Sequence, residues 1–245
     1  MSALQIGLIM PETMGAYGDS GNAIVLEKRL QKRGFDAEIV TVHVGDEAPD
    51  SLDFYLLGGS EDAAQQVAVQ RLEESGALRR AADRGAIVFA VCAGLQVLGA
   101  SYEDEDGRQV DGLGLLDAQT RRGTERSVGE LVTTALLQGV GEPLTGFENH
   151  LGVTELGVDA QPLGAVLRGH GNALDLSDEG QQVDGAVQGS VFATYMHGPV
   201  LARNPQLADY LIRLATGQKD LNPIDTAATA LLRKQRLEAS GITLK

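Results

Sequence analysis

The chain has 245 residues and a formal net charge of −14. That acidic balance argues against nucleic acid or an anionic membrane surface as a main partner, and no apolar run approaches the ~20 residues that span a bilayer. The single cysteine cannot form an internal disulfide, so a reducing, cytoplasmic setting is expected.

The first residues, Met-Ser-Ala-Leu-Gln-Ile-Gly-Leu-Ile, lack the basic region and cleavage site of a signal peptide, and 4–10 reads as a first strand. Asp19-Ser20 has the look of a helix cap before a helix over 23–33, which Gly34 ends. Segments 38–42 and 53–57 read as strands. Gly58-Gly59-Ser60 follows the second and leads into a helix to about residue 84. An apolar strand over 87–91 runs straight into Cys92. From about 107 to 189 the pattern changes to short apolar runs with many glycines, read as short, partly antiparallel strands. A strand over 190–196 ends at His197, and Asn204-Pro205 starts a helix to about residue 215. Alternating strands and helices predict an α/β fold with a largely parallel sheet. The chain divides into a domain over 1–218 and an extension over 219–245. Helical spacing over 226–238 makes the extension either a docking helix or a solvated terminus.

Cys92 carries the chemistry. A lone cysteine is more often a buried structural residue, but here a strand enters it and a helix-forming stretch leaves it. That is a nucleophile elbow with sulfur in place of oxygen, and the helix N-terminus behind it favours negative charge on the sulfur. Ala93 N–H is a candidate oxyanion donor, and the Gly58-Gly59 loop offers a second. Of four histidines, His197 is the candidate base, because it also ends a strand and so belongs on the same sheet edge. His150, in Gly146-Phe-Glu-Asn-His150, is read as shaping the site. No metal is expected in this chain.

Together, Val91-Cys92-Ala-Gly-Leu-Gln96 and Tyr195-Met-His197-Gly-Pro199 resemble the class I, triad-type glutamine amidotransferases, in the branch shared with the cobyric acid synthases. The segments Tyr17-Gly-Asp-Ser-Gly-Asn22, Gly146-Phe-Glu-Asn-His150 and the run after His197 narrow the resemblance to the GatD-type glutaminase subunits of lipid II isoglutaminyl synthase. It covers about 4–216. It implies a three-layer, flavodoxin-like sheet, largely parallel with some antiparallel strands. Cys92 would attack the side-chain amide of L-glutamine, and His197 would activate the thiol and protonate departing ammonia. Arg126 matches the family position that binds the substrate, with Arg121 and Arg122 as competing candidates. Gly59, Ala93, Gln96, Asn149 and His150 would complete the pocket.

One departure stands out. Many members have an acid two residues after the histidine, where this chain has Pro199. The resemblance therefore implies a dyad, with an orienting acid drawn from elsewhere, such as Glu148, or from a partner. It also implies a MurT-type, Mur-ligase-like partner that carries ATP and Mg and amidates the D-glutamate of lipid II, this chain needing no cofactor of its own. Lipid II would bring the complex to the inner face of the membrane. A glutaminase for cobyrinate-type amidation and a non-catalytic scaffold subunit are the alternatives.

Overall fold

The computed structural model describes residues 3–15, 18–172 and 181–242. In chain order the elements are β1 (Leu4–Ile9), α1 (Gly21–Gln31), β2 (Ala37–Val42), β3 (Phe54–Leu57), α2 (Asp62–Ser75), α3 (Ala77–Asp83), β4 (Ile87–Val91) and α4 (Ala93–Leu98). There follow β5 (Ser101–Glu103), β6 (Gln109–Asp111), β7 (Ala118–Ala135), β8 (Leu144–Leu156), β9 (Gly164–Arg168), β10 (Val183–Asp184), β11 (Ala186–Gln188) and β12 (Val191–Thr194). The chain closes with α5 (Val200–Arg203), α6 (Pro205–Thr216) and α7 (Ala227–Ala239).

The central sheet has the order β11-β12-β4-β3-β1-β2 and is parallel except for β11. Its two middle strands, Phe-Tyr-Leu-Leu and Ile-Val-Phe-Ala-Val, are buried at every residue. A parallel sheet covered on both faces demands such unbroken apolar runs. The crossover from β1 to β2 moves one way along the sheet and that from β3 to β4 moves the other. Right-handed crossovers then put α1 on one face and α2 with α3 on the other. The order reverses between β1 and β3, so a crevice opens beyond the carboxyl ends of these strands. Arg29 of α1 and Arg33, two residues past its end, hold Asp209 of α6 at 2.7 and 2.8 Å, which locks that helical layer together.

Two expectations change. The helix foreseen after Gly58-Gly59 is two helices, because Gly76 adopts a left-handed conformation (φ 60°) that ends α2 and starts α3. The region 107–189 does not consist only of short strands. It contains β7, 18 residues long, and β8, 13 residues long, paired antiparallel within a second sheet of order β10-β9-β7-β5-β6. Arg, Glu and Gly in the middle of β7 have poor strand propensity; pairing with β8 overrides it.

Asn204-Pro205 does start a helix, but the Asn204 side chain does not cap it. Its amide bonds both Thr145 N–H (2.8 Å) and Thr145 C=O (2.7 Å), pinning α6 to β8. The C-terminal helix α7 packs onto this junction. Leu237 is fully buried, and the buried Arg233 bonds Glu142 (3.0 Å) and Asn204 Oδ1 (3.0 Å). Leu237→Ala should lower stability by about 2–5 kcal/mol, the cost of truncating a fully buried leucine. Urea unfolding measures it, and a loss below half a kcal/mol would mean that α7 does not dock in solution.

Candidate active site

Four loops meet at the crevice, each leaving the carboxyl end of a neighbouring parallel strand. They carry Asp19 after β1, Gly58-Gly59 after β3, Cys92 after β4 and His197 after β12. Cys92 has φ 54° and ψ −107°, a conformation that non-glycine residues rarely adopt. Its N–H bonds Thr194 C=O at 2.8 Å, so the bend is held by the neighbouring strand. Gly94 sits close beneath: a Cβ there would lie 3.0 Å from Ala90 Cβ and 3.2 Å from Leu57 Cβ. Ala93 and Gly94 open α4, so their N–H groups lie in the turn that has no intrahelical acceptors.

His197 is 2% exposed, and its Nδ1 lies 2.9 Å from Asp19 Oδ2. A carboxylate only accepts, so Nδ1 is the donor and Nε2 is the nitrogen left to face chemistry. Burial opposes charge on the ring. The hydrogen bond to Asp19, that with the Cys92 side chain, and the charges of both outweigh it and lift the His197 pKa to about 9. The acid missing at position 199 is therefore supplied by this chain itself. Glu148 does not serve that role. It lies 3.5 Å from His150 Nε2 and accepts from the N–H groups of His170 and Gly171. Of the two sources left open for the orienting acid, this chain provides one, and it is Asp19 rather than Glu148. Asp19 is not a helix cap either: α1 is preceded by Ser20 with no side-chain cap bond, and the Asp19 side chain turns into the site. Tyr17, quoted in the same segment, lies outside the described residues.

Asp19 Oδ2 also accepts the Gly59 N–H at 3.0 Å, while Gly58 N–H bonds Met14 C=O at 2.8 Å. Both amides of the expected second oxyanion donor are thus engaged. In this structure Gly59 positions the carboxylate rather than facing the pocket, and the next residue, Ser60, borders the cavity beside Ala93.

Cys92, Ala93, Gln96, Arg126, Asn149 and His150 share the wall of one cavity of about 260 Å³. Arg126 gets there through an irregularity. The β7–β8 register shifts between Arg122 and Ser127, and the extra residues bulge. Arg126 Nε bonds Asn149 Oδ1 at 2.8 Å, which leaves the rest of the guanidinium for an anion. Arg121 and Arg122 border the same cavity, with Glu103 and Glu105. A floor lined by a basic side chain near acids suits a zwitterion. Gln96 Nε2 lies 3.5 Å from Tyr195 Oη, and a Cβ on Gly152 would meet those two atoms at 2.5 and 2.9 Å. His150 stacks on Tyr195 with centroids 3.8 Å apart and bonds Gly152 C=O through Nδ1. It therefore braces the pocket wall. Behind it, burial raises the fully enclosed Asp184 to about 6 despite bonds from Thr194 and Tyr195 N–H.

Residues 5–205 match the CobB/CobQ-like glutamine amidotransferase domain. The chain belongs to that family. It is 33% identical over 223 residues to the GatD subunit of lipid II isoglutaminyl synthase (glutamine-hydrolyzing) from Staphylococcus aureus, covering 90% of this chain and 88% of the relative. It is 31% identical over 219 residues to the subunit of that name from Streptococcus pneumoniae, covering 88% and 82%. A probable cobyric acid synthase of Methanothermobacter thermautotrophicus is 34% identical, over 78% of this chain and 38% of its own. Among solved structures, a glutamine amidotransferase superposes with a TM-score of 0.55 at 20% identity, over 86% of this chain and 99% of that one, which supports the fold alone.

The raised His197 pKa sets a sign for stability. The folded state holds this proton more tightly than the unfolded one. The contribution is fully present below the unfolded value near 6.5, reaches up to about 3 kcal/mol, and is lost as pH rises through about 9. Asp19→Asn should therefore destabilise the protein near pH 6 and matter progressively less toward pH 9.5. Urea unfolding across that range checks it, and a pH-independent penalty would refute the assignment.

Proposed function

We propose that this chain is a glutaminase subunit that hydrolyses L-glutamine through a Cys92 thioester and delivers ammonia to an amidating partner. One observation carries the reading: Asp19 bonds His197, His197 meets the Cys92 side chain, and Cys92 lines the same cavity as Arg126.

In this reading the α-carboxylate of glutamine pairs with Arg126, which brings the side-chain amide to Cys92. Asp19 holds the Nδ1 proton of His197, and the ring, its pKa lifted to about 9, keeps the thiol proton on Nε2. The sulfur attacks the amide carbon, and the oxyanion is met by Ala93 N–H at the start of α4. The tetrahedral intermediate collapses as the C–N bond breaks, with His197 returning the proton to the departing ammonia. Water, deprotonated by His197, then attacks the thioester, releasing glutamate and the thiol. The sum is glutamine plus water to glutamate plus ammonia.

The similarity to GatD subunits, at 31–33% identity over about nine-tenths of this chain, supports a particular destination for the ammonia. The partner would be a MurT-type, Mur-ligase-like subunit holding ATP and Mg, and it would amidate the D-glutamate α-carboxylate of lipid II. The likeness to cobyric acid synthases spans less of the chain, so cobyrinate-type amidation is the second choice. Among the described residues no helix is long and apolar enough to cross a membrane, and lipid II would reach the complex through the partner.

Glutamate release from L-glutamine, assayed with and without a co-expressed Mur-ligase-like protein, tests this. Cys92→Ala should abolish release, and Asp19→Asn should cut kcat by about 10²–10⁴-fold through loss of the tautomer. Arg126→Ala should raise KM by roughly 10–100-fold, the value of charge-assisted bonds to a carboxylate. Release that survives Cys92→Ala would sink the thioester route.

A further inference from the structure

Three consecutive amides lead from the end of β12 into the segment that carries His197. Tyr195 N–H donates to Asp184 Oδ1 at 3.1 Å, Met196 N–H to Thr194 Oγ1 at 3.1 Å, and His197 N–H to Phe147 C=O at 2.8 Å. The Thr194 hydroxyl in turn donates to Asp184 Oδ2. Two of the three amides therefore rest on Asp184, one directly and one through Thr194. Thr194 C=O also accepts the Cys92 N–H, the bond that holds the bend at the sulfur. One side chain thus stands behind both Cys92 and His197, and the proposed reaction gives it no part.

Asp184 belongs to β10 in the second sheet and reaches the central sheet through a tight turn. Gly185, directly after it, has φ 74°, and a Cβ there would lie 2.2 Å from Ala193 C=O. Asn172 clamps that glycine, accepting its N–H at 2.7 Å and donating to its C=O at 3.1 Å. The Asp184 carboxylate is fully enclosed, and both of its hydrogen bonds come from neutral donors. Burying a charge in this way is expensive. Burial lifts its pKa to about 6, so near pH 8 it is still a carboxylate. Only that form offers an acceptor oxygen to each donor; an amide in its place would turn an N–H toward the Tyr195 N–H or the Thr194 hydroxyl.

We propose that Asp184 is the positioning residue that sets Cys92 against His197, acting through Thr194 and Tyr195. This role rests on the Cys92–His197 reading above, not on which amide is cleaved. The ionised form, with both acceptors, is present above about pH 6 and is lost as pH falls through that value. Glu148 and His150, both on β8, are the ionisable groups that act on Asp184, raising and lowering its pKa respectively. Arg168 of β9 bonds Ser240 C=O instead, β11 and β12 carry no ionisable side chain, and burial holds the Tyr195 phenol neutral up to about 12.

Iodoacetamide alkylation reads the placement of the sulfur, because Cys92 is the chain's one cysteine and no glutamine is needed. Near pH 8, Asp184→Asn should slow alkylation about tenfold, on the scale of the ~10²-fold that a misplacement of about 1 Å costs a reacting group. The ratio of wild-type to variant rates should shrink toward one as pH falls through about 6, where the wild type loses the same charge. Thr194→Val should slow alkylation similarly, and Thr194→Ser, which keeps the hydroxyl, should recover most of that loss. Asp184→Asn combined with Thr194→Val should be no slower than the worse single variant. An unslowed Asp184→Asn, a ratio that stays constant with pH, Thr194→Ser as slow as Thr194→Val, or additive losses in the double variant would each overturn the assignment. The Thr194 pair decides alone where Asp184→Asn does not fold. Absence of glutamate release from a wild type that shows this alkylation pattern would remove the glutaminase reading and leave the role of Asp184 standing.

Discussion

Asp19 Oδ2 accepts two hydrogen bonds from loops that leave different strands: His197 Nδ1–H after β12 and Gly59 N–H after β3. One buried oxygen thus ties together the His197 imidazole, the glycine turn and its own loop after β1. Cys92 completes the set from β4, the strand between. Without a buried acceptor, the imidazole could neither keep its proton on Nδ1 nor hold charge at 2% exposure. The low dielectric that makes this arrangement costly to assemble also makes each of its bonds strong.

The central sheet makes that convergence geometrically cheap. Parallel strands deliver all their carboxyl ends to one edge, and the reversal of order between β1 and β3 opens the edge into a crevice. The second sheet then roofs it. β8 brings Asn149 and His150, the bulge in β7 brings Arg126, and paired main-chain bonds between Phe147 and His197 fasten the roof to the loop that carries His197. Recognition of the substrate's α-carboxylate, in the proposed reaction, thereby falls to one sheet and bond-making to the other.

The same junction faces α7 on its other side. Asn204 bridges β8 to α6, Arg233 reaches Asn204 from α7, and Arg203 packs against Gly198. Arg233 of α7 thus contacts Arg203 C=O and Asn204 in the segment that follows His197, although no catalytic motif lies in α7. Within the extension, Ala227–Ala239 forms α7, which buries Leu237 and leaves Leu231 and Leu232 exposed.

What the sequence alone determined was local. A strand running into Cys92, small residues around it, and His197 at the end of another apolar run are signatures written within a few neighbours, because turn sterics and strand burial act over short distances. Asp19 was in view, in the Gly-Asp-Ser-Gly-Asn segment after the first strand, but it read as a cap, since an aspartate before a helix serves caps far more often than catalysis. Nothing in its neighbourhood encodes a partner 178 residues away. The length of β7 was hidden for a similar reason: its central Arg, Glu and Gly make no strand signal until β8 pairs with them. Only the tertiary structure decided which acid serves His197, that Glu148 serves His150 instead, and that the Gly59 amide is engaged, because each follows from which chain ends the parallel sheet brings to one edge.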